Sequence, residues 1–352
     1  GMAGAASSDR PDLKLPKVTS LLLGLGLYYA LLQWQDEWAS RVTLMAMTAL
    51  ACLFVVVGLT NGLSPTKVSV LTWVRAYMPR FLAQLPDAQH GRASMNQLGG
   101  ALLLVIPVLL ALLVGRRNGI TGWLTGTAWV LVLITCLLLS GALVITQSRG
   151  AWGGMVVGGV LVLALSRNWG KWVAGLGGVT LLLGWVLWGR QHFGADIIQI
   201  LIAQKGLTTP VGKLSVVGRL QIWRTVLASI TGKPWSGGGW GTLRATSTSF
   251  PHAHNVLLQV AYDMGVPGLV AYLAMVIVAV RQCLATMCCS RGVRRSIAVG
   301  GLAALVAYHV YGMVDVVALG AKPGVLWWCL LALIVAAGRE TPMLVVSEGT
   351  ST

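Results

Sequence analysis

The sequence predicts an all-α, polytopic integral membrane protein, a bundle of about 9 to 12 transmembrane helices with a long polar loop that carries short amphipathic helices. Three observations predict it. The chain of 352 residues is 56% hydrophobic and only 10% charged, and its mean hydropathy of +0.75 lies outside the range of soluble globular domains. Apolar runs close to the roughly 20 residues needed to carry a helix across a bilayer recur along it. The polar residues between those runs gather in a few connections, two of them long.

In order, the apolar runs lie near 18–33, 43–59, 98–114, 123–145, 152–165, 172–188, 267–282, 296–314 and 324–337. The first is too long, and lacks the small-residue site, for a removable signal sequence. Three compact basic connections, "GRRNG" (115–119), "SRNWGK" (166–171) and "SRGVRRS" (290–296), are expected on the cytoplasmic side, where positive charge is retained. The longer polar stretches, about 60–97 and 189–266, then face outward. The chain divides accordingly into an N-terminal transmembrane region (1–188), an outward loop (189–266) and a C-terminal transmembrane region with a tail (267–352). At its start the charge rule conflicts with this assignment, because two spans before residue 60 put Arg10, Lys14 and Lys17 outside. A further span within 60–97, a first segment that does not cross, or additional preceding helices would each resolve the conflict.

Both outward stretches are basic. The longer carries Arg190, Lys205, Lys213, Arg219, Arg224, Lys233 and Arg244 against Asp196 and Asp263, and the shorter carries Lys67, Arg75, Arg80 and Arg92 against Asp87. Such surfaces suit an anionic ligand or anionic lipid headgroups; nucleic acid is not expected outside a membrane. The six cysteines, Cys52, Cys136, Cys283, Cys288, Cys289 and Cys329, have neither zinc nor redox spacing and read as small hydrophobes. Among body carboxylates only Asp36 and Glu37 are adjacent. Neither a paired-carboxylate glycosidase site nor a divalent-metal cluster is therefore expected, and no cofactor is implied. His309 and Asp315, near the outer end of a later run, read as a structural pair.

Four motifs carry the chemistry. "TQSRGAW" (146–152) puts Arg149 where one apolar run ends and another begins, a costly place for a charge unless it snorkels or meets a partner. "VGRLQIWRTVLASI" (217–230) reads as an amphipathic helix, with Leu220, Trp223, Leu227 and Ile230 on one face and Arg219 at its start. "GKPWSGGGWG" (232–241) can form a tight turn or a phosphate-binding nest, and its Trp235 and Trp240 can stack on a sugar or anchor at the interface. In "SFPHAHN" (249–255), Pro251 favours extended backbone before it and Asn255 is a helix N-cap. His254 then stands at the mouth of a short helix that "DMGVPG" (263–268) stops, able to accept a proton near neutral pH.

The order Ser-Arg-Gly, Gly-Arg-Leu-x-x-Trp-Arg, a glycine-rich turn and His-x-His-Asn before a helix resembles the superfamily of O-antigen ligases, O-antigen polymerases and protein O-oligosaccharyltransferases. His254, Asn255, nine residues, then Gly265 and Gly268 fit its ligase signature and select His254 over His252. "GRASMNQLGG" (91–100) looks like the family's Asn-containing segment. The resemblance implies a GT-C-like glycosyltransferase of the bacterial inner membrane with its site facing the periplasm. Its donor would be O-antigen glycan on undecaprenyl diphosphate and its acceptor lipid A-core, with neither metal nor nucleotide required. On that reading His254 is the general base and Arg149 and Arg219 bind the diphosphate. Arg75, Arg80, Arg92, Arg224, His252, Asn255 and Trp240 are further substrate-binding candidates. The short tail "GRETPMLVVSEGTST" favours the lipopolysaccharide ligase over the protein-modifying relatives. The alternatives are an O-antigen polymerase, a protein O-oligosaccharyltransferase and a transporter of lipid-linked glycan.

Overall fold

The computed structural model describes residues 11–33, 37–61, 95–116, 126–146, 148–166, 216–240, 242–243, 252–317 and 319–339, and among these every regular element is helical. The apolar run at 172–188, together with Arg75, Arg80 and Arg92, lies outside the described residues. The helices are α1 (Pro11–Gln33), α2 (Glu37–Asn61), α3 (Met95–Leu102), α4 (Ile106–Arg116), α5 (Thr127–Ile145), α6 (Arg149–Leu165), α7 (Val216–Gly232), α8 (Val256–Cys289), α9 (Gly292–Gly312) and α10 (Val325–Arg339). Among the described residues, five segments are long and apolar enough to cross a membrane: Ala39–Gly58, Met95–Gly115, Thr127–Ile145, Val256–Cys289 and Lys322–Arg339. The protein is a polytopic all-α membrane protein. Leucine, valine and isoleucine side chains on the outer faces of α5 and α8, such as Leu131, Leu137, Val270 and Val278, are exposed as lipid contact requires.

At the centre stands α9, buried on nearly all sides and packed against α4, α6, α8 and α10. Small residues let backbones approach closely where no hydrophobic gain separates helix from lipid. Gly150, Gly154 and Gly158 form such a stripe at four-residue spacing on α6. A Cβ at Gly154 would lie 2.5 Å from the Ala307 carbonyl oxygen, and one at Gly158 would lie 2.9 Å from the Ala307 Cβ. Gly154→Leu is therefore expected to force α6 off α9 and to destabilise the bundle by about 1–3 kcal/mol. The readout is a lower thermal midpoint of the detergent-solubilised protein; an unchanged midpoint would refute the packing argument.

Contacts between helix ends fix which ends share a side. Gly320 lies against Lys17 of α1, the Asn96 side chain at the start of α3 reaches Asp315 just after α9, and at the opposite end Arg339 donates to the Leu32 carbonyl. The start of α1, the starts of α3, α6 and α8, and the 313–321 connection thus lie together. The described parts of the three basic connections lie at the other end. The basic start of α1 does share a side with the polar site, against the charge rule. Lys17 there interacts electrostatically with Asp263 and His252.

Two breaks between helical segments are instructive. Between α3 and α4 the chain turns at 103–105, because Pro107 offers no N–H to the Leu103 carbonyl. Leu104 and Val105 donate instead to Ala101 and Leu102, both at 3.1 Å. The short helix expected to stop at 263–268 does break there, at Gly265 (φ 71, ψ −177), and a second helical segment follows directly to Cys289. The glycine-rich stretch closes over that kink: the Gly238 N–H donates to the freed Tyr262 carbonyl at 2.8 Å, and Val266 donates to Pro234 at 2.8 Å. A Cβ at Gly265 would sit 2.4 Å from the Trp235 oxygen, so both its positive φ and the close approach demand glycine. The sequence boundary at 266/267 falls beside this break between two helical segments.

Candidate functional site

His254 is the one described non-glycine residue with positive φ, 49°, a conformation that costs an L-residue about 1–2 kcal/mol and persists only where its surroundings impose it. Three clamps impose it. The Asn255 side-chain oxygen caps α8, accepting from the N–H groups of Leu257 (3.0 Å) and Leu258 (3.1 Å). The Ala253 N–H donates to the Gln259 side chain at 2.8 Å, and Gln259 in turn donates to Asp263 at 2.9 Å. From the other side, the Trp223 indole on α7 donates to the Ala253 carbonyl at 3.0 Å.

Held this way, His254 Nδ1 lies 3.2 Å from Asp315 Oδ1. Asp315 itself is fixed by the Asn96 amide on Oδ2 and the Val316 N–H on Oδ1, both at 2.8 Å. The Tyr311 hydroxyl donates to the Asn96 carbonyl at 2.8 Å, which anchors that asparagine. Burial pushes the Asp315 carboxyl up, but the His254 hydrogen bond, the charges of His252 and His254 and the Val316 amide outweigh it and hold the group below its ordinary value. A carboxylate only accepts. Nδ1 of His254 must therefore carry the proton, which leaves Nε2 as the nitrogen able to take one.

His252 packs beside it, with ring centroids 4.0 Å apart and Nδ1 3.9 Å from Asp315 Oδ1. Burial, reinforced by His254 and Lys17 against the pull of Asp315, lowers His252 to about 4 from 6.5. Between those values the unfolded chain binds a proton that the folded chain refuses, so stability rises with pH there. As pH falls from about 6.5 toward 4, the protein is expected to lose up to about 3 kcal/mol, seen as a falling thermal midpoint. His252→Asn should flatten that part of the profile; an unchanged slope would refute the assignment.

Arg219 joins the cluster, and Arg149 starts a helix beside it. Arg219 shares the inward face of α7 with Ile222 and Val226, at i, i+3 and i+7. Burial lowers its guanidinium from the ordinary value, opposed by the charges of Asp315 and Tyr311. Arg149, half-buried, opens α6, and the next residue, Gly150, lies against Val314 and Tyr311 of the turn that carries Asp315. Arg219 and His254 thus meet at Asp315, and Arg149 starts the helix whose next residue lies against that turn.

Other expected site residues are placed elsewhere. Trp240 is only 2% exposed, enclosed beside Gly320, and has no face to offer a sugar. The N–H groups of Gly238 and Gly239 both donate to Tyr262, so the glycine turn is a splice onto the kink and not a phosphate nest. Arg224 lies on the exposed side of α7, about 140° around the axis from Arg219. On the same helix Leu220 and Leu227 are 45% and 49% exposed, while Ile222 and Val226 form the buried face. The Asn255 side-chain oxygen is committed to the cap. His309 does not pair with Asp315; it bonds the Tyr272 hydroxyl at 2.9 Å and the Leu305 carbonyl at 2.7 Å.

The segment that holds Arg149, Arg219, His254, Gly265 and Gly268 is also the segment that other proteins share. Residues 134–273 match the O-antigen ligase family. No curated protein matches the chain. The match is a likeness to the O-antigen ligase family over the middle of the chain. It ends before Asp315 and begins after Asn96, the two groups that fix His254 from outside it. Asp315 has no local signal, standing in the sequence as a lone acid near a helix end, whereas Asn96 is the asparagine of "GRASMNQLGG", the segment that the resemblance singled out.

Proposed function

We propose that the protein is an O-antigen ligase, transferring O-antigen glycan from undecaprenyl diphosphate to a sugar hydroxyl of lipid A-core at the periplasmic face of the bacterial inner membrane. The observation that carries this reading is the His254–Asp315 pair, 3.2 Å apart, set at an imposed positive φ beside Arg219. The acceptor hydroxyl attacks the anomeric carbon as the bond to the diphosphate oxygen breaks. His254 Nε2 takes the hydroxyl proton, and Asp315 stabilises the resulting imidazolium. The departing diphosphate gains charge, which Arg149 and Arg219 meet with planar paired donors. One direct attack inverts the anomeric carbon. No pair of carboxylates faces a common bond among the described residues, and a second displacement would need a nucleophile of that kind.

The test is product identity in reconstituted vesicles supplied with lipid-linked glycan and lipid A-core. Glycan on lipid A-core supports the ligase; lengthened lipid-linked glycan would replace it with a polymerase, and glycan on a protein hydroxyl with a protein O-oligosaccharyltransferase. Unmodified donor moved to the opposite leaflet would mean a transporter, for which His254 has no use as a base.

A further inference from the structure

We infer that His252, His254 and Asp315 form a binding site for a divalent transition-metal ion of the Zn²⁺ type, and that its occupancy switches the base off. Nδ1 of His254 and Nδ1 of His252 lie 3.2 and 3.9 Å from the same carboxylate oxygen, and the three ligand atoms all fall within 4.8 Å of one another. A tetrahedral shell with bonds of about 2.0–2.1 Å spaces neighbouring ligands about 3.3 Å apart. The cluster is therefore near metal-ligand spacing and needs only side-chain adjustment to close on an ion. Two imidazoles and one carboxylate suit borderline ions and leave a fourth position for water.

Two further features point to a ligand. His252 Nδ1 is buried with no hydrogen-bond partner, a state that is costly unless something satisfies it. Asp315 is meanwhile oriented by Asn96 on its other oxygen, the outer support that metal-binding carboxylates use. Arg219 and Lys17 oppose a cation here, which makes the site reversible and weaker than a structural zinc site. Spacing alone does not mark the His-x-His pair as a metal motif, because its third ligand stands 61 residues beyond His254.

The consequence for chemistry follows from proton placement and rests on the proposed transfer reaction; the binding itself does not. Without metal, His254 keeps its proton on Nδ1 and its lone pair on Nε2. A metal on Nδ1 takes that nitrogen's lone pair, so the ring proton moves to Nε2 with the proton count unchanged. An Nε2–H group cannot accept the proton of an attacking hydroxyl. The ion is thus an inhibitor, not a cofactor.

The experiment titrates Zn²⁺ into tag-free, detergent-solubilised protein by calorimetry, with Co²⁺ absorbance as a second probe, and then follows glycan transfer at the same Zn²⁺ concentrations. One Zn²⁺ per chain is expected, with Kd raised at least tenfold by His252→Ala and by Asp315→Asn, each checked for folding by thermal melt. Transfer should fall as the site fills and return with chelator. Absence of saturable binding, or binding untouched by both substitutions, would overturn the site. Transfer that persists at saturating Zn²⁺ would overturn the inhibition. Zn²⁺ bound through these residues in a protein that transfers no glycan would uphold the site and remove the transfer reading instead.

Discussion

Replacing His254 with alanine is expected to slow glycan transfer about 10²- to 10⁴-fold, the usual contribution of a general base, while leaving binding of the lipid-linked donor within a few-fold of normal. The separation follows from the proposed roles, in which His254 serves the acceptor hydroxyl and the donor's diphosphate is assigned to Arg149 and Arg219. The measurement is single-turnover transfer beside equilibrium binding of the donor. His254→Gln is the companion variant, because it keeps a polar side chain at a strained position and separates loss of a base from loss of local shape. A His254→Ala protein that transfers at the normal rate would remove the base assignment. One that fails to bind donor would recast His254 as a binding residue.

Asp315→Asn should cost nearly as much, about 10²- to 10⁴-fold, for a different reason. The amide introduced by this substitution can turn its NH₂ toward His254 Nδ1, which favours the tautomer with the proton on Nε2 and removes the acceptor lone pair. It also leaves the imidazolium of the transition state without its counter-charge. Because the two residues act as one unit, combining Asp315→Asn with His254→Ala should add little to either alone. Asp315→Glu should recover part of the rate if its carboxylate can still reach Nδ1. Additive losses in the double variant, with no recovery in Asp315→Glu, would show that Asp315 serves only the packing of the turn.

Much of the site is legible in the sequence because its parts are local devices. The Asn255 cap reads from its place before an apolar run, and the structure finds its side chain on two backbone amides. Gly265 reads as half of a spacing rule; the structure supplies the cause, a left-handed kink onto which residues 234–239 are bonded. The misplacements are equally physical. Trp240 resembles a sugar platform because tryptophan often is one, but composition cannot tell an enclosed indole from an open one. The α7 face read from sequence divides in the structure: Trp223 and Ile230 pack inward, while Leu220 and Leu227 are exposed, since leucine suits a lipid interface as well as a core.

What the sequence determined by itself was the class of protein and most of its membrane segments, from hydropathy and periodicity; it offered His254, Arg149 and Arg219 as candidates through short motifs and the resemblance they carry. Only the tertiary structure decided how the His254 imidazole is held: by a carboxylate 61 residues along, itself held by an asparagine 219 residues before it, where Gly100 of α3 lies against Tyr311 of α9. Helical periodicity reports neighbours three and four residues apart on one surface. It carries no information about which distant turn that surface will face, and the orientation of the imidazole depends on that turn.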